Sequence, residues 1–251
     1  MKRIVWDKGH GGTDPGAVGN GLQEKNLTHS IVSYAMNYLE ANYTGFEQRT
    51  TRTGDQTLEL SKRDDMANAW GADAFISAHI NAGGGTGFET FIFNGTTNPA
   101  TSSLQNSIHD EVLKAMRKID PSVKDRGKKR ANFAVLRTTN MPAVLTETLF
   151  IDTVADANHL KSAAFLKAVG EAHAIGVAKY LGLKELKKVA EKPKPQPQKE
   201  PVVDWAATSW EKAQKKKGKD GKTSIMNGQN PNDPITRKQM AAVLDRLGLL
   251  D

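Results

Sequence analysis

Residues 60–82 read LSKRDDMANAWGADAFISAHINA, and the change of rhythm inside this stretch decides the fold class. Up to Trp70 the pattern is helical. After Gly71 it becomes the short apolar run Ala74 to Ala78, which reads as a buried strand. A helix feeding straight into a buried strand is the building unit of a layered α/β domain. His79 ends that run, so its imidazole is delivered to the C-terminal tip of a central strand, where α/β folds place their sites.

The same alternation extends in both directions. Strands are expected near Arg3 to Trp6, Phe46 to Thr50, Ala74 to His79, Phe88 to Phe93, Phe133 to Leu136 and Ala143 to Thr148. Helices are expected at Leu27 to Ala41, Leu58 to Trp70, Ser102 to Ile119 and Ala163 to Leu181. In the last, Phe165, Leu166, Val169, Ala172 and Ile175 share one face and Gly182 follows as a C-cap.

Between Lys184 and Pro201 the sequence is KELKKVAEKPKPQPQKEP. Prolines alternating with Lys, Gln and Glu block helix and sheet and favour an extended chain. This divides the chain into a domain of residues 1–183, a linker of residues 184–201 and a small, mainly α-helical module of residues 202–251. In that module two amphipathic segments, Asp204 to Lys216 and Thr236 to Leu247, flank a turn-rich stretch with Asn227-Gly228. Thr236 with Gln239 three residues on has the form of a capping box.

The formal net charge of +7 is unevenly placed. Residues 184–251 hold 15 Lys+Arg and 9 Asp+Glu, leaving 20 and 19 for residues 1–183, so the tail carries +6 and the large domain +1. Such a tail suits an anionic wall polymer, an anionic lipid or nucleic acid, or simply keeps the chain soluble. No cysteine is present, so a metal here must be held by His, Asp or Glu. The apolar stretch Ile4 to Trp6 is too short for a signal-peptide core, and no window of about 20 apolar residues offers a membrane span.

Four residues are candidates for chemistry. His10 lies in the glycine-rich segment Asp7-Lys8-Gly9-His10-Gly11-Gly12 after the first strand, where the backbone can turn sharply around a bound species. Taken alone, such a histidine is more often a surface residue than a ligand. His79 is a partner from a strand tip. Glu24 opens a helix and points back toward the same tip, or merely complements the helix dipole. Glu147 sits in the apolar run PAVLTETLFI, residues 142–151, where a carboxylate is costly to bury without a partner. Two His and two Glu at loop and strand ends are enough for a three-ligand zinc site with a catalytic carboxylate.

The segments DKGHGGTDPGAVG (7–19), QEKNLTHSI (23–31), LSKRDDMANAWGADAFISAHINA (60–82) and PAVLTETLFI (142–151) together resemble the type 3 family of zinc-dependent N-acetylmuramoyl-L-alanine amidases. The resemblance covers residues 2–181. It implies a mixed six-stranded sheet flanked by helices, a Zn2+ held by His10, Glu24 and His79, and Glu147 as the catalytic carboxylate. The bond cut would join the lactyl group of muramic acid to L-alanine in peptidoglycan. Two positions depart from the family pattern: Lys8 stands where Pro is usual, and Leu149 where Gly is usual. Without proline the loop presenting His10 is expected to be looser.

Residues 205–250, with Trp205, Trp210 and NPNDPITRKQMAAVLDRLGLL, resemble one unit of a surface-layer-homology module, which implies attachment to the wall. Expected partners are peptidoglycan and an anionic wall polymer, and no nucleic acid. The expected setting is that of a phage endolysin or a mother-cell lytic enzyme, made in the cytoplasm and acting on the wall after release. The rivals are a catalytically silent wall-binding protein and a zinc peptidase acting on cross-linking peptides. The remaining histidines, His29, His109, His159 and His173, lie in helical segments and are expected to be solvated or hydrogen-bonded. Arg63 and Asn81 flank the signature strings and are candidates for substrate contact or for structural roles.

Overall fold

The computed structural model describes residues 1–95 and 98–186. The expected module of residues 202–251 with its two helices, and all but the first three residues of the expected linker, lie outside the described residues. The chain opens with β1 (Lys2–Lys8), β2 (Val18–Gly19), β3 (Leu22–Gln23), α1 (Glu24–Asn42), β4 (Tyr43–Thr44) and β5 (Phe46–Thr50). It continues through α2 (Leu60–Trp70), β6 (Ala74–Asn81), β7 (Phe88–Phe93), α3 (Pro99–Ile119) and β8 (Asp125–Ala131). The last elements are α4 (Ala134–Arg137), β9 (Ala143–Phe150), α5 (Val154–Leu160), α6 (Ala163–Leu181) and β10 (Lys184–Glu185).

Six strands form one mixed sheet in the order β5-β1-β6-β9-β7-β8. The first four are parallel, β7 runs antiparallel to β9, and β8 is parallel to β7. Successive side chains of a strand point to opposite faces, and the core follows that rule. Ile4, Trp6, Ala74, Ile76, Ala78 and Val144 join one cluster with residues of α1, α3 and α6. Val5, Phe75, Ala143 and Leu145 join a smaller one with Ala67 of α2 and Val135 and Leu136 of α4. Among the described residues this second cluster is packed by the shorter helices α2 and α4. Gly182 caps α6 in the left-handed region, at φ 62°. Lys184 and Glu185, expected to open the linker, pair with Thr44 and Tyr43.

One expected strand is corrected. Phe133 to Leu136 is not a strand: Ala134–Arg137 form a helical turn that buries Val135 and Leu136. A four-residue apolar run has no periodicity that separates a strand from a helical turn. The sixth strand is instead Asp125–Ala131, DRGKKRA, whose charges and glycine hide its character. It is an edge strand, where basic residues are normal because they discourage pairing with other chains.

Position 149 explains its departure from the family pattern. Between His79 and Asn81 the β6–β9 register shifts, so β9 carries an extra residue immediately after Glu147. Leu149 occupies the left-handed region at φ 63° and is buried. Glycine would adopt that φ without strain, but the buried leucine side chain would then be missing from the core. Leucine's backbone strain costs about 1–3 kcal/mol, while emptying a buried leucine site costs about 2–5 kcal/mol, so leucine holds its place.

His173 is buried in α6. Its Nδ1–H donates to the Val169 carbonyl at 2.8 Å, so Nε2 keeps its lone pair and accepts from Thr146 Oγ1 at 3.0 Å. Burial pushes its pKa down to about 4. The unfolded chain takes this proton near pH 6.5 and the folded one only near 4, so the stability is present above about 6.5 and is lost as pH falls toward 4. The loss is on the order of 3 kcal/mol. Urea midpoints of the wild type should drop over this window, and those of His173→Gln should drop less. Parallel pH profiles would refute the assignment.

Candidate active site

The site lies at the C-terminal ends of β1, β6 and β9. His10 follows β1, Glu24 begins α1, His79 lies near the end of β6 and Glu147 near that of β9. The structure brings all four together. Ligand atoms of His10, Glu24 and His79 all lie within 4.8 Å of one another, a group able to hold a metal ion. Glu147 is the direct ladder partner of His79.

Glu24 is the buried hub. Its Oε1 accepts from the Ile80 N–H at 2.9 Å and lies 2.9 Å from His79 Nδ1. Its Oε2 accepts from the Ala17 N–H at 2.8 Å and lies 3.2 Å from His10 Nε2. On the other side of the His10 ring, Nδ1 is 2.7 Å from Asp14 Oδ2. Donating Nδ1–H to Asp14 leaves the Nε2 lone pair facing a carboxylate oxygen. Two acceptors so placed require a cation between them, either a proton or a metal ion. Burial works against charge on His79, but Glu24 overrides it and raises the pKa to about 9. Burial likewise opposes ionisation of Glu24, and the two imidazoles override it and hold its carboxyl well below the usual range.

The backbone leaves room for these rings only because two positions lack a side chain. A Cβ on Gly9 would stand 2.5 Å from His79 Cε1, and one on Gly16 would stand 2.6 Å from both Glu24 Oε2 and His10 Cδ2. His10 itself adopts a left-handed φ of 61°.

A buried network fixes the loop that presents His10. Asp7 accepts from Arg63 Nη1 and Thr51 Oγ1, each at 2.8 Å, and from Ser77 Oγ at 2.6 Å. Arg63 also donates to the carbonyls of Lys8 and His10, while Arg52 donates to those of Lys8 and Gly9. Thr28 Oγ1 donates to the Gly9 carbonyl at 2.9 Å. Side-chain donors on neighbouring elements thus restrain the backbone around Lys8, where proline is absent. Lys8 is itself buried, and burial together with Arg52 lowers its pKa to about 8.

Glu147 is partly buried. Its Oε2 is enclosed and has no hydrogen-bond partner among the described residues. Burial pushes its carboxyl up to about 7, so it can hold or release a proton near neutral pH. Glu89, on β7, is the ladder partner of Glu147 on the side away from His79.

With this geometry in place, the chain compares directly with known proteins. The family model for N-acetylmuramoyl-L-alanine amidases matches residues 4–179. The chain belongs to this amidase family. The amidase is 48% identical over 185 residues to the sporulation-specific N-acetylmuramoyl-L-alanine amidase of Bacillus subtilis (strain 168), covering 74% of this chain and 70% of that one. It is 45% identical over 188 residues to the endolysin of Bacillus phage SPP1, covering 74% and 68%. The fold of the amidase matches the solved catalytic domain of CwlV, an N-acetylmuramoyl-L-alanine amidase from Bacillus (Paenibacillus) polymyxa var. colistinus. That match has a TM-score of 0.67 and 32% identity, over 73% of this chain and 100% of that one.

The other expectations sort clearly. Arg63 is buried against Asp7 and the loop carbonyls, a structural role. Asn81 donates to Glu89 Oε1 at 2.7 Å. His109, His159 and His173 are hydrogen-bonded away from the site, to Thr90 and Asp125, to Asp120, and to Val169 and Thr146. Glu89 went unnoticed in the sequence, although a lone carboxylate inside FETFIF carries the same signal as Glu147 inside its apolar run. No helix among the described residues of the amidase is long and apolar enough to cross a membrane.

Proposed function

We propose that this amidase cuts the lactyl–L-alanine amide of peptidoglycan with a zinc ion held by His10, Glu24 and His79 and with Glu147 as the catalytic carboxylate. The observation that carries this reading is the convergence of two imidazoles and one carboxylate on one point, beside a partnerless carboxylate oxygen. Two nitrogen donors and one oxygen donor fit a catalytic zinc with an open fourth position. When bound, the ion supplies Lewis acidity to the carbonyl and lowers the pKa of water.

The chain's own residues do the rest. Asp14 fixes the tautomer of His10 and Ile80 N–H orients the Glu24 carboxylate. Glu147 takes the proton of the attacking water and returns it to the leaving amine, a role open to a carboxylate beside the ligand group whose Oε2 has no hydrogen-bond partner among the described residues. The role is lytic, by analogy with the SPP1 endolysin, and the chain acts on the wall after leaving the cytoplasm. The alternative setting is mother-cell lysis. Residues 202–251 attach the enzyme to the wall through an anionic polymer, which raises its effective concentration at an insoluble substrate.

The purified full chain, supplied with zinc, should hold about one zinc ion per molecule by elemental analysis. Chelation should remove both the metal and the release of amino groups from purified walls. A metal-free chain that still cleaves walls would overturn the reading.

A further inference from the structure

On the far side of Glu147 from the two histidines lies a second polar cluster. His79, Glu147 and Glu89 are consecutive partners across β6, β9 and β7. Glu89 is 4% exposed, and its Oε2 accepts from Arg126 Nε at 2.9 Å and from Lys129 Nζ, while Oε1 accepts from Asn81. Two cations therefore meet one buried carboxylate, leaving one positive charge in excess.

The backbone is shaped for this. Phe88 pairs with Asp125 but Glu89 pairs with Gly127, so Arg126 is an extra residue on β8, and the bulge turns its side chain toward Glu89. The second bulge, after Glu147 on β9, delivers Phe150, whose ring centroid lies 4.7 Å from the Arg126 guanidinium carbon. Arg126 is thus held by its Nε and by its flat face. Its Nη1 and Nη2 have no hydrogen-bond partner among the described residues, and the side chain is 26% exposed. A locked guanidinium with its two-pronged end free is a bidentate receptor for a carboxylate.

We propose that Arg126, supported by Lys129 and locked by Glu89 and Phe150, binds a free carboxylate on the peptide side of the scissile amide. This deepens the amidase reading and rests on it. The subsite holds the peptide while Glu147 lies between it and the histidines, so it selects acidic over amidated peptides.

The test uses the full chain and two soluble compounds, N-acetylmuramoyl-L-alanyl-D-glutamate and the same compound with its carboxylates amidated. Wild-type kcat/KM should favour the carboxylate form about 10- to 100-fold, the range expected of hydrogen bonds to a charged group. In Arg126→Gln that ratio should fall to about 1, chiefly through KM, and Arg126→Lys should be intermediate because charge survives without the fork. Equal wild-type kcat/KM on the two compounds, or an equal loss on both in Arg126→Gln, would overturn the subsite. Calorimetric titration of the free dipeptide L-alanyl-D-glutamate and its diamide is independent of cleavage. If wild type cuts neither compound, the amidase reading fails, and these titrations still decide the subsite: tighter binding of the acid supports it, equal binding refutes it.

Discussion

Glu147→Ala is expected to slow wall cleavage by a factor of about 100 to 10,000, the usual weight of a positioned proton-transfer group, while the chain keeps its zinc. The two effects separate because Glu147 lies beside, and not within, the group formed by His10, Glu24 and His79. Its position depends on the β9 bulge that follows it and on its ladder partners His79 and Glu89. Glu147→Gln keeps the shape and removes the titrating group, so it should be as slow as the alanine variant. His79→Ala provides the contrast, because it should lose the metal together with the activity. Amino-group release from purified walls and elemental analysis of each variant measure both quantities. Normal turnover by Glu147→Ala would remove Glu147 from the chemistry.

The second large effect concerns stability. Arg63→Met should destabilise the domain by about 3 to 5 kcal/mol, the cost of breaking a buried ion pair from one side. Asp7 would stay buried, keeping Thr51 and Ser77 as hydrogen-bond partners but losing its countercharge. Burial already opposes ionisation of Asp7, and Arg63 is the largest influence that keeps the carboxyl below its usual range. The carbonyls of Lys8 and His10 would lose donors as well. For a domain of this size each kcal/mol moves Tm by about 2–4 °C, so thermal melting should show a fall of roughly 10 °C. Replacing both partners, Asp7→Asn with Arg63→Met, should recover part of the loss because no buried charge is left unpaired. A single variant that melts like the wild type would show that Arg63 does not stabilise the loop.

Sequence alone determined the alternation of helix and strand, because periodicity and β-branched or aromatic runs are local properties that survive without neighbours. Helix Ala163 to Leu181 was legible to the residue, since its apolar face and the following Gly182 mark both its period and its end. The candidate chemical residues were legible for a related reason. A histidine among glycines, or a carboxylate in an apolar run, conflicts with its surroundings in a way that the sequence itself displays. Edge strand β8 was not legible, because an edge strand faces solvent and carries the charges of a loop. The segment 133–136 misled because four apolar residues fit a strand or a helical turn equally well, and only packing against β9 and α2 selects the turn. The tertiary structure alone also decided that Arg63 is buried as the donor to Asp7 and the His10 loop, and that Leu149 accepts a left-handed backbone to keep the core filled. Glu89 and Arg126 are 37 residues apart, and no local rule could pair them. Their meeting depends on the bulge at Arg126 in β8, and a bulge is a property of how strands register against each other.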